Sequence, residues 1–176
     1  GNKLGFYTGI LYLAPVDISG YQVCPMAKLA QCDKACLYTA GRGAFTSTQK
    51  ARINKTKQFF ESRNWFMQNL VKDIESAKRK ANKLGLTLLI RLNGTSDIKF
   101  ENIKFTDLNG VEYASIMDRF PDVQFYDYTK IPNRVVPKNY DLTFSYSQVI
   151  TFKKFTDIAI DKNMRLAVVF RKKDNM

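Results

Sequence analysis

Three cysteines lie within thirteen residues, at Cys24, Cys32 and Cys36, and the rest of the 176-residue chain contains no other cysteine and no histidine. An odd number of clustered thiols is a poor disulfide framework, but three thiolates with one open position suit a 4Fe–4S cluster. A structural zinc ion would need a fourth ligand, such as the carboxylate of Asp33. Ordinary or redox-active thiols are the third interpretation. Because histidine is absent, any chemistry must use a metal, carboxylates or thiolates.

The composition predicts one globular domain spanning residues 1–176. Hydrophobic residues make up 45% of the chain and aromatic residues 13%, and a chain of this length buries roughly 70% of its unfolded surface. No apolar run approaches the roughly 20 residues of a membrane span. The first residues lack a charged segment followed by an apolar core, so no signal peptide is expected. These features favour a soluble intracellular protein with reduced thiols and no membrane partner.

Positive charge is concentrated in residues 42–84. The chain carries a formal net charge of +12, and this segment holds eleven Lys and Arg residues against three acidic ones. Such a surface is typical of nucleic-acid binding, although a solvated helix face would have the same composition. The candidate contacts are Arg42, Lys50, Arg52, Lys55, Lys78, Arg79 and Lys80.

The apolar pattern predicts strands that alternate with helices. A stripe from Phe66 to Ala81 and Leu84 steps by three and four residues and ends at Gly85, as in an amphipathic helix with a C-terminal glycine. This helical region begins near Gln49 after the cap candidates 46–48 and is expected to break at 62–64. Further helices are predicted at 111–119 and 151–163, an Asn109-Gly110 turn precedes the first of them, and the strands are predicted at 6–14, 86–92, 123–127, 140–145 and 165–170.

This order indicates an α/β fold with a parallel sheet of about five strands, arranged as a partial (β/α) barrel or as an open doubly wound sheet. In such folds chemistry occurs at the carboxyl ends of the strands. The cysteine loop follows the first strand, and polar groups follow the others, so we expect them to share one rim. The polar groups are Asn93, Gly94, Thr95, Ser96 and Asp97, then Asp127, Tyr128 and Lys130, then Ser145–Ser147, and finally Arg171.

Four motifs of the sequence resemble those of a family of bacteriophage proteins, the mycobacteriophage gene-eighty-eight type. They lie at 24–43, which ends in Ala40-Gly41-Arg42-Gly43, and at 52–60, 91–97 and 120–130. The resemblance implies a viral origin and a location in the host cytoplasm, and it supplies no assigned activity. Related chains continue past the fifth strand, which implies a short form or a fragment lacking C-terminal elements.

More distantly, the layout is similar to that of radical S-adenosylmethionine enzymes, in which a three-cysteine loop after the first strand holds a 4Fe–4S cluster. The similarity implies that Cys24, Cys32 and Cys36 are cluster ligands and that residues 93–97 contact S-adenosylmethionine. The spacing differs from the usual C-x3-C-x2-C, and the turn after the second strand is not Gly-Gly-Glu.

Three hypotheses of different classes follow. The first is a phage iron–sulfur protein with radical S-adenosylmethionine-like chemistry, in which Asp127 and Ser145 join residues 93–97 around the cofactor. The second is a non-enzymatic protein that binds nucleic acid or a host protein through the basic segment 42–84. A structural or virion-associated role is the third option.

Overall fold

A computed structural model describes residues 4–33 and 36–169. Short 3-10 turns occur at Leu37–Thr39, Gly41–Ala44, Phe100–Asn102 and Ile150–Phe152. In chain order the helices and strands are β1 (Phe6–Ile10), α1 (Val16–Ser19), α2 (Thr46–Glu61), α3 (Arg63–Lys83), β2 (Thr87–Arg91), β3 (Phe105–Thr106), β4 (Glu112–Tyr113), α4 (Ile116–Arg119), β5 (Gln124–Thr129), β6 (Tyr140–Ser145), α5 (Lys153–Asp161) and β7 (Leu166–Ala167).

Five strands form a parallel sheet in the order β1-β2-β5-β6-β7. Strands β3 and β4 form a separate antiparallel pair. The sheet does not close into a barrel within the described residues, and the α/β class with its five parallel strands is confirmed. Because the strand order follows the chain without reversal, it corresponds to a partial barrel or a simple open sheet, whereas a doubly wound sheet reverses its order at a switch point. All five carboxyl ends therefore lie along one edge.

The predicted break between the two long helices is confirmed, since α2 ends at Glu61 and α3 begins at Arg63. The inward stripe of α3 is also confirmed, apart from Leu84, which is half exposed. Gly85 has φ +64, and the Leu86 N–H donates to the Ala81 carbonyl at 3.0 Å. This is a Schellman motif, in which glycine supplies the left-handed residue. The helix consequently stops where β2 must begin.

Several predicted boundaries are wrong for local reasons. Strand β1 ends at Ile10 and not at residue 14, because the Ala14 N–H donates to the Thr56 hydroxyl at 2.8 Å and leaves the sheet. Helix α2 begins at Thr46, so residues 46–48 form its first turn and do not cap it. Helix α4 is shorter than 111–119 because Glu112 and Tyr113 pair with β3. The predicted strand at 165–170 is observed at Leu166–Ala167, and residues 170 and 171 lie outside the described residues.

The core has two parts. The larger cluster packs α2 and α3 on the sheet through side chains such as Phe59, Met67 and Phe125. The smaller cluster joins Ala30 of the cysteine loop to Phe152 and Ala159 beside β6. The cysteine loop is thus anchored beside β6 and α5. In the described segments, no helix is both long and apolar enough to cross a membrane.

Candidate functional site

The three thiols and several strand ends line one cavity of about 250 Å³. It lies at the carboxyl edge of the sheet, where parallel α/β folds place their sites. The predicted convergence of the cysteine loop with residues 93–97 and Ser145 is therefore observed, whereas Asp127 does not line the cavity. The lining residues are Cys24, Met26, Ala27, Cys32, Cys36, Leu37, Arg91, Asn93, Gly94, Thr95, Ser96, Asp97, Tyr128, Thr129, Lys130 and Ser145.

The first half of the cysteine loop is fastened to the turn that follows β2. The Asp97 N–H donates to the Val23 carbonyl at 2.8 Å, and the Cys24 thiol donates to the Thr95 carbonyl at 3.7 Å. The Thr95 hydroxyl donates in turn to the Leu13 carbonyl at 2.6 Å. A Cβ on Gly94 would lie 2.8 Å from the Leu11 carbonyl oxygen, so this approach requires glycine. Cys24 is consequently held at the cavity wall.

The second half of the loop is fastened to the region after β6. The Ser147 hydroxyl donates to the Ala30 carbonyl at 3.1 Å, and the Thr151 hydroxyl donates to the Leu29 carbonyl at 3.2 Å. The Cys32 N–H closes a turn on the Ala27 carbonyl at 3.1 Å. Cys24 and Cys32 are therefore partly buried, while Cys36 is exposed.

The thiols share a cavity but do not form a closed ligand set. Burial, together with the nearby Asp97 carboxylate, raises the pKa of the Cys24 thiol to about 12. Burial also raises the pKa of Cys32, and the Lys130 ammonium opposes that rise. Over residues 4–33 and 36–169, no three Cys, His, Asp or Glu side chains stand together as ligands for one metal ion. Any metal bound here would have to displace thiol protons.

Asp127 and Asn93 build the turn after β2. The Asp127 carboxylate accepts the N–H groups of Leu92 at 3.1 Å and of Asn93 at 2.9 Å, and the Tyr140 hydroxyl at 3.0 Å. Burial raises the pKa of Asp127 to about 6, and these donors oppose the rise. The Asn93 side-chain oxygen accepts from the Ser96 hydroxyl at 2.8 Å. The polar atoms of Asp127 and Asn93 are thus engaged in hydrogen bonds within the protein. The predicted role of both residues in cofactor binding stays a prediction.

A buried ionic network centred on Arg134 lies behind this turn, and sequence reasoning missed it. The Arg134 guanidinium donates to Glu101 at 2.9 and 2.7 Å and to Asp97 at 3.0 Å. The Arg134 side chain is fully buried, and the side chains of Glu101 and Asp97 are only 3% and 8% exposed. Burial raises the pKa of Asp97, although the Lys130 N–H, the Thr129 hydroxyl and Arg134 oppose the rise. The four-residue spacing of the two acids after a buried strand was the available signal, but nothing in the sequence pointed to their partner.

Two cations complete the cavity wall. The Arg91 guanidinium lies 4.9 Å from the centre of the Tyr128 ring, and its Nε is 3.6 Å from an Asp127 oxygen. The Lys130 ammonium donates to the carbonyls of Ser145 at 2.7 Å and Tyr146 at 3.0 Å. Burial lowers the pKa of Lys130, while the neighbouring Cys32 and Asp97 raise it. Both cations favour an anionic group in the cavity.

The predicted nucleic-acid contacts do not form a single surface. Arg52 is buried, and its guanidinium lies 4.6 Å from the centre of the Tyr12 ring. Lys55 is partly buried, and Lys78 pairs with Asp122. The remaining candidates, Arg42, Lys50, Arg79 and Lys80, are exposed.

The Gly41-Arg42-Gly43 stretch forms a tight 3-10 turn. Gly41 has φ +55, and a Cβ on Gly43 would collide with the Tyr38 carbonyl oxygen. Both glycines are therefore explained by the backbone path of the turn, without a phosphate ligand.

A family model described as Gene product 88 matches residues 2–176. This chain belongs to that family. The match confirms the resemblance to bacteriophage proteins of the gene-eighty-eight type, a phage family of unassigned function. No curated protein and no solved structure matches the chain. The similarity to radical S-adenosylmethionine enzymes therefore receives no support from these comparisons.

Proposed function

We propose that this member of the phage family binds an iron–sulfur cluster through Cys24, Cys32 and Cys36 and acts in the host cytoplasm. The observation that supports the proposal best is that all three thiols line the same cavity, at the carboxyl edge of a parallel sheet. Two cations, Arg91 and Lys130, line the same cavity. Their charge offsets part of the negative charge that three thiolates would bring.

The residues suit such a group by donor type, and all three thiols line one cavity, although they do not stand together as a ligand set within the described residues. Thiolates are the ligands that iron–sulfur clusters use, and three of them leave one iron open. The thiols of Cys24 and Cys32 donate only weak hydrogen bonds, at 3.7 Å, to the carbonyls of Thr95 and Ala27. A bound cluster would therefore replace only these two weak hydrogen bonds. Cys36 lines the cavity but is exposed, and it must move closer to the other two thiols to complete the set.

A cluster held by Cys24, Cys32 and Cys36 would supply one-electron chemistry and would leave one iron without a protein ligand. For the small molecule at that position we propose S-adenosylmethionine. The chain itself offers Arg91 and Lys130 to orient a carboxylate at the cavity wall. The turn after β2 is held at the cavity wall because Gly94, without a side chain, packs directly against the Leu11 carbonyl. The Asp97 carboxylate is occupied by Arg134 and Thr129, so its role is to hold the turn in place.

The experiment is metal and sulfide analysis of protein that is purified and reconstituted without oxygen. We expect brown protein with nearly four iron and four sulfide ions per chain, and loss of colour in Cys24→Ser, Cys32→Ser and Cys36→Ser. Asp33→Asn is the matched control, because a cluster with three cysteine ligands does not use this carboxylate. Colourless, iron-free protein would refute the proposal, as would one zinc ion per chain that is lost in Asp33→Asn.

Binding of S-adenosylmethionine is tested separately by equilibrium dialysis of reconstituted and metal-free protein. We expect retention of the cofactor only by the reconstituted protein. Equal retention by the metal-free triple cysteine-to-serine variant would show that the cluster does not hold it.

A further inference from the structure

The outward face of α3 carries an aligned set of cations. Trp65, Asn69, Lys72, Ser76, Arg79 and Lys83 are spaced by four, three, four, three and four residues. At 3.6 residues per turn this spacing places all six along one line of the helix. All are exposed except Asn69, which is partly exposed. We call Lys72, Arg79 and Lys83, together with Trp65, the cationic stripe.

The cations of the stripe differ from their neighbour Lys78 in their ion pairing. Within the described residues, none of them forms an ion pair, whereas the neighbouring Lys78 pairs with Asp122. The acids on the flanks of the helix face elsewhere. Glu75 accepts from Arg119 at 2.8 Å, and Asp73 lines a separate cavity shared with α2. Three positive charges therefore point to solvent in a row.

Trp65 lies at one end of the row, and 52% of its surface is exposed. An exposed indole beside aligned cations is the combination with which proteins hold single strands, since bases stack on the ring while cations follow the phosphates. From Trp65 to Lys83 the helix rises about 27 Å, with cations about 10, 21 and 27 Å along it. That length suits a site of a few nucleotides.

We propose that the cationic stripe binds the phosphate backbone of a single-stranded nucleic acid, with a base stacked on Trp65. None of its residues lines the cysteine cavity, so the inference is independent of the proposed cluster. The stripe also replaces part of the set predicted from sequence, because Lys78 is paired and the Lys80 ammonium lies 5.4 Å from the centre of the Tyr7 ring.

The probe is a fluorescein-labelled oligodeoxythymidine of about 20 nucleotides, followed by anisotropy and by quenching of intrinsic tryptophan fluorescence. Trp65 is the single tryptophan of the chain, so quenching reports on this site alone. Three phosphate contacts to a single strand predict an affinity about 20-fold lower at 200 mM than at 50 mM salt. We expect Trp65→Ala to weaken binding by about 5- to 150-fold.

The decisive variant is Lys72→Glu/Arg79→Glu/Lys83→Glu, which we expect to abolish binding. Its matched control is Lys138→Glu/Lys154→Glu/Lys162→Glu, which makes the same change in net charge at exposed positions outside α3. We expect the control to retain most of the binding and the full tryptophan quenching, and circular dichroism verifies that both variants fold.

Equal loss of binding in both triple variants would overturn the site, because net charge would then account for the affinity. Unquenched tryptophan, or duplex DNA binding as tightly as the single strand, would overturn the stacking assignment. A failure of wild-type protein to bind the oligonucleotide would overturn the proposal as a whole, in favour of an acidic protein partner or a solvated face.

Discussion

Replacing Arg134 by Gln should destabilise the fold strongly, although Arg134 lies on a loop between β5 and β6. The side chain is fully buried and bonds to two buried carboxylates, Asp97 and Glu101. Removing one partner of a buried ion pair leaves uncompensated charge in the interior and costs about 3–5 kcal/mol. For a domain of this size that corresponds to a fall in melting temperature of roughly 6–20 °C.

The cost should also depend on pH. In the folded wild type, burial raises the pKa of Asp97 and Arg134 opposes the rise. Without the guanidinium, the folded pKa of Asp97 moves higher still above its unfolded value. Below its unfolded pKa, Asp97 is protonated in both the folded and the unfolded state, and the shift costs no stability. As the pH rises through the folded pKa, the buried carboxyl must lose its proton, and the free energy of unfolding falls. The difference between Arg134→Gln and wild type should therefore be largest at pH 7 and smaller near pH 4.

The assay is urea denaturation followed by far-ultraviolet circular dichroism at both pH values. Arg165→Gln is the matched control, because Arg165 forms an exposed pair with Asp141 and such pairs contribute about 1 kcal/mol or less. Adding Glu101→Gln to Arg134→Gln should recover part of the loss, since one stranded charge is removed. A cost below about 1 kcal/mol for Arg134→Gln, or one that is unchanged between pH 7 and pH 4, would refute this reasoning.

Two further predictions concern the cavity wall. At pH 8, iodoacetamide should modify exposed Cys36 first and Cys24 last. The rise in the Cys24 pKa from 9.0 to about 12 lowers the thiolate fraction of Cys24 about 1000-fold. Peptide mass spectrometry measures the order of modification, and equal rates would contradict the prediction. Gly94→Ala should cost about 1–3 kcal/mol in urea denaturation, because the new Cβ would lie 2.7 Å from the Tyr12 ring and 2.8 Å from a backbone oxygen. Gly110→Ala, at φ +80 in open space, is the comparison for backbone conformation alone and should cost about 1–2 kcal/mol. A loss well below about 1 kcal/mol in Gly94→Ala would contradict the contact argument.

The regular elements were predictable from local chemistry. The three- and four-residue spacing from Phe66 to Ala81 and the glycine at Gly85 define α3 and its end. Strand β6 occurs at Tyr140–Ser145, as its pattern predicts. The predicted start of α2 is wrong because Phe45 precedes the helix without any side-chain cap. The hydroxyl residues 46–48 have the types that cap helices, which places the predicted start near Gln49, three residues late.

The site was predictable in position and less so in detail. Parallel strands bring their carboxyl ends to one edge, so the meeting of the cysteine loop with residues 93–97 followed from the order of elements. What each polar side chain does there depends on partners distant in sequence. Asp127 bonds to Leu92 and Asn93, more than thirty residues away, and Arg134 bonds to Glu101 across a similar separation. No local pattern encodes such pairings.

The strand order has a consequence for how the chain folds. Strands β5 and β6 are joined by residues 130–139, whereas β1 reaches β2 only after residues 11–86. Closing the longer connection costs about 2 kcal/mol more in chain entropy, so β5 and β6 should pair early and β1 should join the sheet late. Because the cysteine loop follows β1 directly, its thiols should stay accessible to solvent until the final stage of folding. During that interval a metal or an oxidant could reach them before the cavity forms.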